Sequence, residues 1–127
     1  MDKEMIIMSD SAKTTVSAIL MQSGDSPNEP NRVIAYASRK LLMREQAYPT
    51  IERELLALVY GLIKFRYYVE CRSIRLLTDH RPLEWLNSLM KHSARLSRWI
   101  LIIQEFDIKT EYIRGEKQLA DALTRRE

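Results

Sequence analysis

Hydrophobic positions along the chain change period repeatedly, and the changes divide it into elements. Residues 4–10, "EMIIMSD", form a short continuous apolar run ending in Asp10, the pattern of a central strand covered on both faces. Residues 14–22, "TTVSAILMQ", follow within a hairpin's distance, and 32–40, "RVIAYASRK", resume the extended pattern after the turn-rich loop "SGDSPNEPN" at 23–31. Three strands joined in succession predict an antiparallel meander. From Thr50 the period lengthens: Ile51, Leu55, Leu58, Val59, Leu62, Phe65 and Val69 recur at three- and four-residue intervals, which predicts one helix of about five turns opened by Pro49. A fourth strand, "SIRLLTD" (73–79), then leads to a short helix at "PLEWLNSL". A second long helix at 93–106 carries Leu96, Trp99, Ile100 and Ile103 on one face. The alternation of "DIKTEYIR" (107–114) predicts a half-exposed fifth strand, and "KQLADALTRR" a closing helix.

This order predicts an α/β domain built on a mixed five-stranded sheet, three antiparallel strands plus two parallel, flanked by helices. Strands reached through helical crossovers run parallel to the first. Parallel neighbours in such folds present their carboxyl ends at one edge, where sites form. The first and fourth strands end alike, in "IIMSD" and "RLLTD", so Asp10 and Asp79 are expected at that edge. In the long helix, Glu54 borders the apolar stripe where Ala57 and Gly61 leave the surface low, whereas Glu52 borders the opposite edge beside Leu56 and Ile63. Asp121, read alone, is a first-turn acid complementing the last helix's dipole.

Carboxylates crowded together repel one another, and a divalent cation relieves the repulsion. Oxygen donors without a supporting cysteine or histidine cluster suit Mg²⁺ or Mn²⁺ rather than zinc. Two such ions roughly 3.5–4 Å apart serve phosphodiester hydrolysis by stabilising both the attacking and the leaving oxygen.

Composition narrows the class without choosing the chemistry. The 127 residues amount to one domain, 46% hydrophobic and 29% charged, which excludes disordered and collagen-like chains. Twenty basic residues against 17 acidic leave a net charge of +3, which permits a polyanionic partner without requiring one. The single cysteine, Cys71, excludes an internal disulfide framework. No apolar run reaches the roughly 18 residues of a membrane span, so the expected setting is intracellular. The methionines, Met43 and Met90 among them, read as core or edge fillers, and Trp85 and Trp99 as packing residues. Arg39, Lys40, Lys91, Arg95, Arg98, Arg125 and Arg126 are candidate phosphate contacts. Of the two histidines, His80 and His92, the first adjoins Asp79 at a strand end, where orienting metal ligands, touching a phosphate and lying in a surface turn are comparable readings.

The segments "SDSAKTTVSAILMQ", "VIAYASRKL", "QAYPTIERELLALVYGLIKFRYYV", "IRLLTDHRPLEWL", "RLSRWILIIQEFDIKTEYIRG" and "LADALTR" together resemble the ribonuclease H domain of reverse transcriptases from gypsy-type LTR retrotransposons and related retroviral elements, in the same order and spacing. The resemblance implies a ribonuclease H-like fold and hydrolysis of the RNA strand of an RNA–DNA hybrid to leave a 5′-phosphate and a 3′-hydroxyl. It also implies two Mg²⁺ ions, with Mn²⁺ as substitute, held by Asp10, Glu54, Asp79 and Asp121. It further implies a single domain over 1–127 excised from a longer polyprotein, partnered by that polyprotein's polymerase domain. Such a piece is expected to be a monomer, in cytoplasm or a virus-like particle. Ser17 stands where the family usually has glycine and Gln118 where it usually has asparagine, and 114–120 lacks the histidine of the cellular enzymes. The competing expectation is a catalytically silent module of the same fold that grips nucleic acid or a polymerase domain.

Overall fold

The computed structural model describes residues 4–26, 28–78 and 94–112. Its strands are β1 (Met5–Ser11), β2 (Thr15–Gln22), β3 (Arg32–Lys40), β4 (Ser73–Thr78) and β5 (Asp107–Tyr112). Its helices, numbered in chain order, are α1 (Met43–Gln46), α2 (Thr50–Lys64), α3 (Arg66–Val69) and α4 (Ala94–Gln104). The strands form one sheet in the order β3-β2-β1-β4-β5, with β1–β2 and β2–β3 antiparallel and β1–β4 and β4–β5 parallel. This is the mixed sheet expected from the sequence. The helices predicted at "PLEWLNSL" and "KQLADALTRR" lie outside the described residues.

β1 occupies the centre because its side chains are apolar on both faces. Met5 and Ile7 join the core beneath α2, while Ile6 and Met8 join Met21 and Leu77 on the reverse face. All four are at most 7% exposed. Val16, Ala18 and Leu20 alternate onto the helix side and Met21 onto the reverse face, while the pairing with β3 slips between Leu20 and Met21, where Ile34 is the extra residue.

α2 lies across β1 and β2 and packs beside α4. Leu55, Leu58, Val59 and Leu62 meet Leu96, Ile100 and Ile103 in the same core, which realises both predicted helix faces. Ile51, predicted on the stripe, is 37% exposed on the first turn, so the buried stripe starts at Leu55. Gly61 brings the helix close. A β-carbon built there would stand 2.8 Å from the Ala18 Cβ of β2, so the missing side chain is what permits this separation.

Three expectations need correction. The predicted five-turn helix breaks at Phe65, whose φ of −102° and ψ of 17° end α2 and cap α3. The apolar face nevertheless continues, since Phe65 and Val69 are both buried, and this is why spacing alone hides the break. The one-turn α1 was not predicted, being too short for a periodic signal. Met43, expected to fill core or edge, is 87% exposed on that turn.

Candidate active site

β1 ends in Ser9, Asp10 and Ser11, and successive side chains of a strand leave on opposite faces. Asp10 takes the parity of Ile6 and Met8 and is exposed; Ser11 takes the parity of Met5 and Ile7 and faces α2. The Ser11 hydroxyl donates a 2.7 Å hydrogen bond to Oε2 of Glu54, across 43 residues of sequence. The helix acid is therefore attached to the residue next to the strand-end acid. Both Ser11 and Glu54 are half-buried.

Glu54 follows the first turn of α2. The carbonyl of Pro49 opens that turn by accepting from the N–H groups of Glu52 and Arg53. Proline suits this place because it has no N–H to satisfy and its φ is already near helical. Glu52 turns the other way and pairs with Arg95 of α4. That hydrogen bond raises the Arg95 pKa still further, with the carboxylate's charge adding to it, against the opposing effect of burial. The guanidinium also lies 4.0 Å from the centroid of the Tyr48 ring.

A second ion pair fixes the approach to α2. Arg39, at the end of β3, forks onto Glu45 of α1 with bonds of 2.8 and 3.0 Å. Glu45 Oε1 also accepts the Leu42 N–H at 2.7 Å. The Arg39 bonds, aided by the one from Leu42, outweigh burial and hold the Glu45 carboxyl below its ordinary value of 4.5. Arg39 and Arg95, both candidate phosphate contacts, are thus committed to acids of their own chain. Lys40 and Arg98 are exposed, and Lys91, Arg125 and Arg126 lie outside the described residues.

Of the four predicted acids, Asp10 and Glu54 are described, and Asp79 and Asp121 lie outside the described residues, as do His80 and His92. Asp79 is the residue that follows β4 in sequence, and β4 runs parallel to β1 from Met5↔Ile74 to Met8↔Leu77. Among the described residues no three carboxylate, imidazole or thiol groups converge as a metal-binding cluster. Sequence reasoning missed two participants. Ser11 was legible in principle, because strand parity turns it toward the helix that carries Glu54. The Arg39–Glu45 fork was hidden because the one-turn α1 was not foreseen.

Ser17, where the resemblance calls for glycine, sits opposite Asp10 in the antiparallel register. Cross-strand partners share a face, so a hydroxymethyl group stands beside the strand-end acid.

Over residues 1–106 the chain matches the family model described as the RNase H-like domain found in reverse transcriptase. The chain belongs to that family. The RNase H-like domain is 36% identical over 125 residues to the retrovirus-related Pol polyprotein from transposon 297 of Drosophila melanogaster, covering 98% of this chain and 11% of the polyprotein. Other relatives include the Pol polyprotein of the gypsy transposon itself. The chain thus spans about a tenth of the length of these curated relatives. Among solved structures, the foamy viral protease-reverse transcriptase in complex with RNA/DNA hybrid superposes with a TM-score of 0.73 at 17% identity, over 89% of this chain and 15% of that one. LC11-RNase H1 in complex with RNA/DNA hybrid superposes with a TM-score of 0.61 at 11% identity, over 94% of both chains. The RNase H-like domain therefore has the ribonuclease H fold. Among its described residues no helix is long and apolar enough to cross a membrane.

Proposed function

We propose that the domain is a metal-dependent endonuclease that hydrolyses the RNA strand of RNA–DNA hybrids during reverse transcription, as one domain of a Pol polyprotein beside its polymerase. The observation that carries the reading is the Ser11–Glu54 hydrogen bond. It attaches a helix carboxylate to the end of the strand that bears Asp10, although the two acids are far apart in sequence. Asp79, the next residue after the parallel neighbour β4, and Asp121 complete the proposed set.

The donors fit a hard divalent ion: Asp10 is an exposed carboxylate at a strand end, and Glu54 is a carboxylate held by a hydroxyl. Asp10, Glu54, Asp79 and Asp121 would hold two Mg²⁺ ions, with Mn²⁺ as substitute. Such ions, when bound, supply Lewis acidity and charge compensation for in-line hydrolysis of a phosphodiester. The chain's own part is positional. β1, held by β2 on one side and β4 on the other, fixes Asp10, and Ser11 orients Glu54. A hybrid duplex would be gripped through its phosphates, with shape and 2′-hydroxyl contacts distinguishing RNA from DNA. We place this activity in cytoplasm or a virus-like particle, with the 127 residues acting as a single domain.

A second reading, a silent hybrid-binding module, draws its support from Ser17, which adds a side chain opposite Asp10. Incubation of the chain with a labelled RNA–DNA hybrid separates the two. The endonuclease cuts the RNA strand with Mg²⁺ or Mn²⁺, is silenced by chelator, and loses activity in Asp10→Asn, which removes a charge at almost unchanged volume. Retained cutting in Asp10→Asn overturns the site assignment. Hybrid binding with no cutting under any metal favours the silent module.

A further inference from the structure

Three acids near the start of α2 are held in two different ways. Glu45 and Glu52 each face a guanidinium, which orients the carboxylate and also compensates its charge. The bond from Ser11 to Glu54 is of another kind. A hydroxyl donor fixes the direction of a carboxylate without cancelling its charge, which suits an oxygen that has to attract a cation.

We infer that Ser11 is a positioning residue whose hydroxyl holds Glu54 in one orientation and so sets how tightly the site takes a divalent cation. The inference rests on the metal-site reading given above and deepens it. Three features make the contact more than an incidental surface bond. At 2.7 Å from Oγ to Oε2 it has the length of a well-formed O–H···O bond. Its donor stands on rigid backbone: Ser11 pairs with the fully buried Val16, and the hairpin closes behind it through the Ala12 N–H donating to the Thr15 carbonyl at 2.8 Å. Its acceptor rides on a helix whose height above the sheet is fixed by the close approach of Gly61 to Ala18. A glutamate left alone samples many rotamers, and a ligand that must first be ordered binds metal less well. Partners that orient metal ligands commonly change metal affinity 10- to 100-fold when removed.

Strand parity explains why this residue, and not a neighbour, has the role. Asp10 has the opposite strand parity to the side chains packed beneath α2. Ser11 is the residue at the strand end that faces the helix.

The test is calorimetric titration of Mn²⁺ into the intact 127-residue chain and its variants, with melting curves taken in chelator. Ser11→Ala is expected to weaken Mn²⁺ binding about tenfold. Ser11→Thr and Ser11→Val form a matched pair of nearly equal shape, and both side chains suit a strand, so they keep the comparison usable if the alanine variant folds poorly. Ser11→Thr is expected to bind like the parent and Ser11→Val like the alanine variant. Equal affinity across the pair overturns the inference, as does a lower melting temperature in Ser11→Ala with unchanged affinity, which marks a merely structural bond. Glu54→Gln distinguishes this failure from failure of the underlying reading. If Glu54→Gln binds as the parent does, or the parent takes up no metal, the metal-site reading falls and the inference falls with it. If Glu54→Gln loses binding while the Ser11 variants keep it, only the inference falls.

Discussion

Substituting Gly61 by alanine tests how closely α2 sits on the sheet. In an exposed helix this change would be favourable by about 0.8–1.0 kcal/mol, because alanine is the better helix former. Here the new methyl carbon would stand 2.8 Å from the Ala18 Cβ, and the gap has to open by about 0.6 Å to reach the 3.4 Å at which ordinary contact begins. Neither partner has a rotamer to change, since both carbons are attached directly to backbone. Ala18 is held between Ser9 and Ala37 in two antiparallel ladders, so the helix has to move. Lifting it loosens Leu58 and Leu62 from the core, and overpacking of this kind costs about 1–3 kcal/mol. Crowding therefore offsets or outweighs propensity, and we expect a net destabilisation of up to about 2 kcal/mol, or a melting temperature lower by up to about 10 °C for a chain of this size. Urea unfolding of the parent, Gly61→Ala, Ala18→Gly and the double variant forms a cycle whose coupling should be about 1–2 kcal/mol, since Ala18→Gly removes the opposing methyl. A Gly61→Ala protein more stable than its parent, or a cycle with no coupling, would refute the argument.

Cys71 has a φ of 68°, the left-handed region where a β-carbon is strained. Cys71→Gly is therefore expected to stabilise the fold by about 0.5–1 kcal/mol in urea unfolding, and Cys71→Ala to give no such gain. Arg39 lowers the Glu45 pKa in the folded state, so that pair's contribution is complete above the unfolded carboxylate value of 4.5 and is lost as pH falls through the lower folded value. The stability gap between parent and Glu45→Gln should accordingly be widest near neutrality and close in acid. A gap that stays constant from pH 7 to pH 3 contradicts the pairing. Because Arg39 is partly exposed, added salt should narrow the gap as well.

Much of the sheet could be read from the chain because its strands announce themselves. β1 is apolar at four consecutive positions, as a strand covered on both faces must be, and residues 14–22 and 32–40 are separated by a loop rich in turn formers. Helical spacing also identified Leu96, Ile100 and Ile103 as a face. The break at Phe65 could not be read, because no proline or glycine marks it and the buried face runs through it. Nor could the bulge at Ile34 of β3, since register depends on the partner strand as well as on the strand itself. At the candidate site, strand end and helix wheel are enough to nominate Asp10 and Glu54, whereas the ion pairs of Arg39 and Arg95 could not be read. A basic residue near an acidic site reads the same whether it meets a phosphate or a neighbouring glutamate.

In the proposed site, carboxylates from separate segments share one cation site. Crystals of the 127-residue chain grown with Mn²⁺ and measured for anomalous scattering locate the metal directly. The account predicts strong peaks in contact with the carboxylate oxygens of Asp10 and Glu54, with Asp79 and Asp121 completing the coordination and the Ser11 hydroxyl still bonded to Glu54. Peaks elsewhere on the molecule, or none at a saturating Mn²⁺ concentration, would contradict it.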